Sequence, residues 1–456
     1  MELTLQSLKE HRQSFWDAGY SLPEFDYDKV MENTKNRPTW VHFGAGNIFR
    51  AFHAKAVQRM LDSGELDRGI IAVEGYDREI IERINRPCDD YSLLVTLKAD
   101  GTVEKDIIGS VAESLVLDPK NEKEFDRLKE IFRSPSLQIV SFTITEKGYG
   151  IYSGGKIPDD ISRDFDNGNR KPESYMGKVT ALLYERFLAG ALPTAMVSMD
   201  NCSGNGDKLH QAVNAFAEAW CRNGYTEKDF LSYVNDKSKV SFPCTMIDKI
   251  TPRPDSSVEE MLKKDGIEGA EAIVTEKNTY IAPYVNAEQC EYLVIEDEFP
   301  NGRPCLEKCG FIFTDRETVG KAERMKVCTC LNPVHTALAV YGCLLGYDRI
   351  SEEMKDSELR KLAEHIAYTE GLPVVTDPKI LDPEEFADTV INERISNPFI
   401  PDTPQRIASD TSQKLAVRFG ETIKAYGEKA CELKYIPLVI AGWLRYLMAV
   451  DDRGRS

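Results

Sequence analysis

Short apolar segments alternate with longer amphipathic ones through the first part of the chain. The apolar segments are rich in β-branched and aromatic residues and are too short for helices, which is typical of buried strands. They lie at residues 39–43, 69–73, 137–142 and 194–199. Helices are predicted from the end of the first strand to about residue 61 and at 175–189. The alternation predicts an α/β fold with a mostly parallel, doubly wound sheet that has helices on both faces.

The pattern changes near residues 290–310, where it becomes mostly helical. The predicted helices lie at about 316–327, 333–346, 352–367, 384–395, 411–428 and 435–449. We therefore expect two domains, an N-terminal Rossmann-like α/β domain at 1–295 and a mainly α-helical domain at 296–456.

A glycine turn follows the first predicted strand. Gly44 and Gly46 allow the backbone to turn tightly and to approach a pyrophosphate, which the N–H groups of the following helix attract. The third glycine of the usual dinucleotide fingerprint would fall at Phe49, so the motif is incomplete. Asn47 and Arg50 stand in the first helical turns. The turn predicts a dinucleotide site formed by these five residues, although a turn without a ligand is about equally consistent with it.

Two acidic residues follow the second predicted strand. Glu74 and Asp77 lie about 30 residues after Gly44, farther than the roughly 20 that is typical of a ribose-binding acid. A solvated surface acid explains each of them as well. If they do bind the ribose, they disfavour a 2′-phosphate, so NAD is preferred to NADP.

Composition narrows the function classes. The formal charge of −18 repels phosphate backbones and anionic lipid surfaces, which argues against nucleic acid and membrane partners. No apolar run approaches 18 residues, and the polar N-terminal segment does not resemble a secretory signal. Eleven scattered cysteines favour reduced thiols in a cytoplasm over a disulfide framework. A cytoplasmic protein with a small-molecule partner is expected, and its oligomeric state stays open.

Several segments resemble one family, the polyol-specific long-chain dehydrogenases, which include mannitol dehydrogenases and fructuronate and tagaturonate reductases. The matches keep their order from about residue 38 to 450. They are His42-Phe43-Gly44-Ala45-Gly46-Asn47-Ile48, Thr143-Ile144-Thr145-Glu146, Asp200-Asn201 with Asn205-Gly206, Phe242-Pro243-Cys244-Thr245-Met246-Ile247-Asp248-Lys249-Ile250-Thr251-Pro252, Glu296-Asp297 with Gly302-Arg303-Pro304, Met325-Lys326, Asn332-Pro333-Val334-His335, Ser396-Asn397-Pro398, Asp402-Thr403, Arg406 and Lys414.

This resemblance implies metal-independent hydride transfer on a Rossmann domain with a helical C-terminal domain. It implies that Lys326 is the catalytic lysine, that Asn201 and Asn332 bind the reacting oxygen, and that His335 binds substrate. Further polar substrate contacts are implied for Asp248, Arg406, Lys414 and Glu146, of which the last is implied to assist proton traffic.

The implied chemistry is physically coherent. Oxidation of a secondary alcohol needs a base, donors for the developing alkoxide and a hydride acceptor. A lysine serves as the base only where burial or a neighbouring cation destabilises its ammonium. Two asparagine amides stabilise an oxyanion without adding charge. Taken singly, Lys326 is more often a surface charge, and Asn332 before Pro333 reads as a helix N-cap.

One spacing departs from the family. Asn332 follows Lys326 by six residues, where the family usually has five. On a straight helix, Lys326 and His335 would then lie about 180° apart. The lysine assignment therefore requires that a π-bulge, or a helix restart at Asn332-Pro333, absorbs the extra residue.

Two other classes of protein share features with this sequence. Cys305 with Cys309 and Cys328 with Cys330 suggest a structural zinc site, but the pairs lack the usual C-x2-C spacing, so no metal is expected. A nucleotide- or sugar-sensing protein on the same fold is the non-enzyme alternative.

The sequence thus predicts an NAD-dependent oxidoreductase acting on a C5–C6 polyol or aldonate. D-mannonate with D-fructuronate is the preferred pair, because Arg406 and Lys414 are suited to a carboxylate. Mannitol with fructose, and the tagaturonate reductase reaction, are the alternatives.

Overall fold

The computed structural model describes residues 1–450 and 454, so 451–453 and 455–456 of the predicted helical domain lie outside it. The strands of the described residues are, in chain order, β1 (Tyr20–Ser21), β2 (Trp40–Phe43), β3 (Ile70–Glu74), β4 (Ser92–Leu97), β5 (Val103–Ile108), β6 (Val111–Val116), β7 (Ile139–Phe142), β8 (Thr194–Ser198), β9 (Val240–Ser241), β10 (Thr245–Asp248), β11 (Ile273–Val274), β12 (Tyr280–Ile281), β13 (Tyr284–Glu288), β14 (Tyr292–Glu296) and β15 (Ile312–Thr314).

Six of these strands form one parallel sheet in the order β6-β3-β2-β7-β8-β9. In chain order this is 3-2-1-4-5-6, the strand order of the Rossmann fold. The direction of winding reverses between β2 and β7, so the loops after these strands diverge and leave a crevice at the carboxyl edge. The predicted doubly wound α/β fold is confirmed, and the four strands predicted from the pattern are all in this sheet.

Alternate residues of the central strands enter different cores on the two faces of the sheet. On β3, Ile70 and Ala72 join one core, whereas Ile71 and Val73 join the other. Both faces are covered, which explains why these strands read as continuous apolar runs in the sequence. The helices of this first part are α1 (Leu5–Glu10), α2 (Arg12–Asp17), α3 (Tyr27–Asn36), α4 (Lys55–Asp62), α5 (Glu122–Arg133), α6 (Asp159–Asn167), α7 (Tyr175–Leu188), α8 (Asn205–Arg222), α9 (Lys228–Asn235) and α10 (Ser256–Lys264).

Smaller sheets accompany the main one. Strands β1, β5, β4 and β13 form a four-stranded sheet, and β14 pairs antiparallel with β10 and parallel with β15. Short, half-polar strands such as β5 gave no apolar run in the sequence, so the hydrophobic pattern did not predict these sheets.

The C-terminal part is helical, as predicted. Its helices are α11 (Arg316–Met325), α12 (Asn332–Leu345), α13 (Ile350–Glu353), α14 (Ser357–Glu364), α15 (Pro383–Thr389), α16 (Pro404–Ala408), α17 (Thr411–Arg418), α18 (Gly420–Tyr426) and α19 (Tyr435–Tyr446). The central helix is α12, which packs against α14, α16 and α19. It is apolar nearly all round because neighbours cover most of its surface.

Several helices contain π-helical turns. In the described residues these are Phe49–Ala54, Ile81–Asn85, Lys326–Cys330, His365–Gly371 and Val390–Arg394. Each π turn holds more residues than an α turn, and such turns are often found at functional sites.

The chain divides into two compact units. Unit 1 comprises residues 1–96, 104–287 and 291–316, and unit 2 comprises 97–103, 288–290 and 317–456. The boundary predicted at 295/296 falls at the end of β14. Unit 1 extends past it to Arg316 because β15 pairs with β14. Within unit 2, Arg394 donates two hydrogen bonds to Glu288 and joins the short segment at 288–290 to the helices.

Among the described residues, the helical segment at 316–345, which includes a π turn, is long and apolar enough to cross a membrane. Of its most apolar 18-residue window, 72% is buried inside the protein, as in the core helix of a globular domain.

A buried arginine on α7 fixes the amino ends of two central strands. Arg186 is fully buried, and its guanidinium donates to the carbonyl oxygens of Phe132, Ser134, Leu137 and Pro193 at 2.6–2.9 Å. Leu137 and Pro193 lie just before β7 and β8. One planar fork of donors thereby aligns the two strands.

We expect Arg186→Lys to lower the free energy of unfolding by about 2–3 kcal/mol, because an ammonium cannot reach all four carbonyls and leaves buried acceptors unpaired. Urea denaturation measures this. The matched control is Arg163→Lys, whose partner Glu173 is exposed, with an expected change within about 0.5 kcal/mol. Equal losses in both variants would contradict the structural role of Arg186.

Candidate active site

The glycine turn leaves β2 at the carboxyl edge of the main sheet. Gly44 has a φ of +109°, and a Cβ added to it would overlap the carbonyl oxygen of Thr143. The chain therefore needs glycine here. A Cβ at Gly46 would meet nothing within 4 Å, so the backbone of Gly46 borders open space. Such an open space, here called the cradle, is what close approach of a pyrophosphate to the backbone requires.

The two acids after β3 are engaged by the protein. The Glu74 carboxylate accepts four backbone N–H groups at 2.8–3.2 Å, from Ala45 in the glycine turn and from residues 75–77. Burial raises the pKa of Glu74, against the four N–H groups that lower it. Asp77 is also buried and accepts a hydrogen bond from the Thr275 hydroxyl at 2.7 Å. Glu74 thus stabilises the turn, and its role in binding a ribose stays a prediction.

A cavity of about 910 Å³ opens beyond β3 in unit 1. Asp77 lines it and Glu74 does not. Five cationic side chains line it, together with six acidic ones: Arg78, Lys120, Lys171, Lys178, Lys277, Asp77, Glu79, Asp118, Glu122, Glu173 and Glu276. The cavity is large enough for a nucleotide, and its lining carries charges of both signs.

The remaining residues of the predicted turn pack and form hydrogen bonds within the protein. Phe49 is fully buried and stacks on His42, with ring centroids 4.6 Å apart. The Arg50 guanidinium donates to the carbonyl of Ala282 at 2.6 Å and to Asn47 Oδ1 at 2.9 Å. Burial lowers the pKa of Arg50 to about 10. Since the side chains of Phe49 and Arg50 are turned into the protein, the structure assigns them a supporting position, and their predicted contact with a cofactor stays untested.

The predicted residues after β7, β8 and β10 lie in unit 1. Glu146 follows β7 and pairs with Lys208 at 2.7 Å. Asn201 is exposed just after β8, and Asp248 is a buried residue at the end of β10. The strands β7 and β8 are neighbours in a parallel sheet, so Glu146 and Asn201 emerge at the same edge as the glycine turn.

A buried carboxylate orders this edge. Asp200 accepts the N–H groups of Ile144 and Thr145, each at 2.9 Å, and the hydroxyl of Tyr149. Thr145 has a φ of +66°, which the two hydrogen bonds hold in place. Burial raises the pKa of Asp200 against these three donors. The sequence placed Asp200 at a strand end but gave no sign of this anchoring role.

In unit 2, Lys326 is the first residue of a π turn. The turn spans Lys326–Cys330, and the N–H of Leu331 donates to the carbonyl of Lys326 at 3.1 Å, five residues back. The helix then restarts at Asn332, with Pro333 next. Both routes for absorbing the extra residue therefore occur together, as the lysine assignment required. Lys326 is 1% exposed, which is the burial that the proposed chemistry demands of a lysine base.

The π turn is capped from a neighbouring helix. The Thr422 hydroxyl of α18 donates to the carbonyl of Cys328 at 2.8 Å. A π turn leaves carbonyl groups without their usual helical partners. This buried hydrogen bond satisfies one of them and stabilises the segment that carries Lys326.

His335 pairs with a carboxylate that the sequence did not single out for catalysis. Its Nε2 lies 2.7 Å from Asp402 Oδ2, and the other oxygen of Asp402 accepts from Arg406. Burial alone would raise the pKa of Asp402, but His335 and Arg406 outweigh it and lower the pKa. An ionised Asp402 only accepts, so Nε2 of His335 carries a proton and donates it to this hydrogen bond.

Three of the predicted residues of unit 2 lie close together, and one lies on an exposed helix face. Asn332 and His335 share the first turn of α12, and Arg406 joins His335 through Asp402. Lys414 lies on the exposed face of α17. The i,i+4 spacing of Asp402 and Arg406 is a sequence signal from which their ion pair could have been predicted.

Family comparisons agree with this architecture. Residues 38–308 match the mannitol dehydrogenase Rossmann domain, and residues 319–456 match the mannitol dehydrogenase C-terminal domain. The chain belongs to the mannitol dehydrogenase family. The resemblance stated from the sequence is thereby confirmed, and so is the assignment to the oxidoreductases.

Relatives of the mannitol dehydrogenase family match over nearly the whole chain. A D-mannonate oxidoreductase of Thermotoga maritima is 54% identical, covering 100% of this chain and 85% of the relative. A D-mannonate oxidoreductase of Escherichia coli is 31% identical, over 92% and 84% of the two chains. The solved Pseudomonas fluorescens mannitol 2-dehydrogenase, a ternary complex with NAD and D-mannitol, is 29% identical with a TM-score of 0.77, over 100% of this chain and 86% of that one.

The two glycines of the turn give opposite expectations. Gly44→Ala should lower the free energy of unfolding by more than about 1 kcal/mol, because its φ and the Thr143 carbonyl both exclude a side chain. Gly46→Ala should change it by less than about 0.5 kcal/mol, while its methyl group fills the cradle and weakens binding of a dinucleotide. Urea denaturation and NADH fluorescence titration measure the two effects. A stable Gly44→Ala variant would contradict the turn geometry.

Proposed function

We propose that the protein transfers a hydride between NAD(H) and the D-mannonate/D-fructuronate pair. The observation that carries the proposal is the buried Lys326 in a π turn that ends at Cys330, two positions before Asn332. The family resemblance makes Lys326 and Asn332 catalytic. The two relatives named as D-mannonate oxidoreductases support the substrate pair.

Each residue has a defined role in this proposal. Lys326 takes the hydroxyl proton during oxidation and returns it during reduction. The amides of Asn332 and Asn201 stabilise the negative charge that develops on the reacting oxygen. His335 accepts a hydrogen bond from a substrate hydroxyl through Nδ1, and a bound nicotinamide supplies or accepts the hydride. Glu146 and Asp248 are proposed as further polar contacts.

The cofactor is proposed to be NAD. The open space beside Gly46 fits a pyrophosphate, and the related mannitol 2-dehydrogenase was solved with NAD. Because the Glu74 carboxylate is engaged by four N–H groups, it excludes a 2′-phosphate less strongly than the sequence suggested. NADP is therefore the necessary comparison. No metal is assigned, and the eleven cysteines scattered along the chain favour a cytoplasmic setting.

A substrate panel tests the proposal. The rate of NADH and NADPH oxidation is followed with D-fructuronate, D-tagaturonate and D-fructose, and the reverse reaction with D-mannonate and mannitol. We expect D-fructuronate with NADH to give the highest kcat/KM. If D-fructose gives the highest kcat/KM instead, mannitol and fructose are the substrate pair. NADH binding without turnover of any substrate would favour a sensor.

Lys326→Ala should lower kcat by about a hundredfold or more, because the general acid–base group is lost, while the Kd for NADH stays within about twofold of wild type. Stopped-flow turnover and fluorescence titration separate these effects. The matched control is Lys321→Ala, a half-exposed lysine of α11 paired with Glu317, which should leave kcat unchanged. A kcat near that of wild type in Lys326→Ala would remove Lys326 from the mechanism.

Arg406→Ala tests the anionic substrate. The loss of a charge-assisted hydrogen bond should raise KM for D-fructuronate by about tenfold or more, with a smaller rise for the uncharged D-fructose. Steady-state kinetics with the two ketoses measure the ratio. An equal rise for both would show that Arg406 does not bind the carboxylate.

A further inference from the structure

A second carboxyl group lies behind the His335–Asp402 pair. Glu353 ends the short helix α13 and is fully buried. Neither of its carboxyl oxygens has a hydrogen-bond partner among the described residues. An ionised carboxylate in such a place would lose its hydration without compensation. The environment therefore favours the protonated acid.

The packing of α12 makes room for this acid. A Cβ added to Gly342 would overlap Glu353 Oε1 and would press on Pro404. Gly342 follows His335 by seven residues, two helical turns, so the two lie on the same face of α12. The N–H of Ile350, at the start of α13, donates to the carbonyl of Asp402 at 3.1 Å. Glu353 and Asp402 thus belong to one packed layer behind His335.

Few titratable groups face Glu353. Burial, and next the charge of Asp402, raise the pKa of Glu353 to about 9. Burial also raises the pKa of the Cys343 thiol on α12 to about 11, and burial with the Asp356 hydrogen bond raises that of Tyr347. Both stay uncharged while Glu353 titrates. Arg406 and His335 reach this layer through Asp402, and at neutral pH they share its single negative charge.

We propose that Glu353 is a positioning residue that acts through Asp402. At neutral pH Glu353 holds a proton, so Asp402 is the one negative charge behind His335. In alkaline solution Glu353 ionises and adds a second negative charge. The second charge strengthens the hold on the Nε2 proton and the Arg406 guanidinium, and it repels an anionic substrate. This kinetic consequence rests on the proposed function, whereas the effect on His335 does not.

The first experiment observes His335 without substrate. The protein has six histidines, and ¹³Cε1 labelling gives one resonance for each, with that of His335 identified by its loss in His335→Asn. In wild type we expect an alkaline inflection from Glu353 in a titration from pH 5 to 10.5. Glu353→Gln, which cannot ionise, should abolish the alkaline inflection. Identical titration curves in the two proteins would overturn the proposal.

Two further variants keep the result decisive. Glu352→Gln removes an exposed carboxylate from the neighbouring position of α13 and should retain the alkaline inflection. Asp402→Asn removes the charge that opposes ionisation of Glu353, so the alkaline inflection should move to lower pH. If Glu353→Gln does not fold, an inflection that stays in place in Asp402→Asn overturns the proposal by itself.

Stability gives an independent readout with a defined sign. Because the pKa of Glu353 is raised in the folded protein, the native state binds more protons than the unfolded chain between about pH 4.5 and pH 9. The free energy of unfolding therefore falls as the pH rises through this window. We expect the Tm of wild type to fall more steeply from pH 6 to 9 than the Tm of Glu353→Gln. Parallel curves would contradict a protonated Glu353.

The kinetic arm compares each protein with itself. For each protein, KM for D-fructuronate at pH 9.5 is divided by KM at pH 7.5. This ratio should be about three- to tenfold larger in wild type than in Glu353→Gln, because only wild type gains a negative charge. The corresponding kcat ratios of the two proteins should be equal. If the two proteins differ in the kcat ratio and have equal KM ratios, the proposed effect of Glu353 on substrate binding is overturned. Absence of turnover with D-fructuronate, together with an alkaline inflection of His335, would reject the proposed substrate and keep the role of Glu353.

Discussion

Backbone N–H groups at the carboxyl edge of the six-stranded sheet need acceptors, and two buried carboxylates provide them. Glu74 receives four N–H groups from the turns after β2 and β3, and Asp200 receives two from the turn after β7. Without these acceptors the turns would bury unsatisfied donors, at a cost of about 1–3 kcal/mol each. The shape of this edge, including the open space beside Gly46, therefore depends on the hydrogen bonds that Glu74 and Asp200 accept.

The same constraint explains where prediction from sequence succeeded and where it stopped. The parallel strands β2, β3, β7 and β8 were predictable because both of their faces are buried, so their composition is apolar throughout. The edge residues were located correctly by their position after each strand. Their partners could not be read from the chain, because Glu74 and Asp200 bind backbone atoms, which have no sequence signature.

The helical unit shows a related limit. The periodicity found its helices, but predicted helices such as 352–367 are divided in the structure into α13, α14 and a π turn. The spacing from Lys326 to Asn332 predicted that the helix must be interrupted, and the interruption is present. The pairing of His335 with Asp402 depends on residues 67 positions apart. Only the fold brings these two residues together. The family resemblance identified each residue in the sequence, but it did not predict their contact.

The π turn at Lys326–Cys330 also affects how related chains are compared. Removing one residue between Val327 and Leu331 would rotate Lys326 by about 100° relative to α12. In an alignment with relatives that carry the shorter spacing, the gap belongs inside this turn. A gap placed elsewhere would pair Lys326 with a residue from a different side of the helix, and the chain would be misjudged as lacking its lysine.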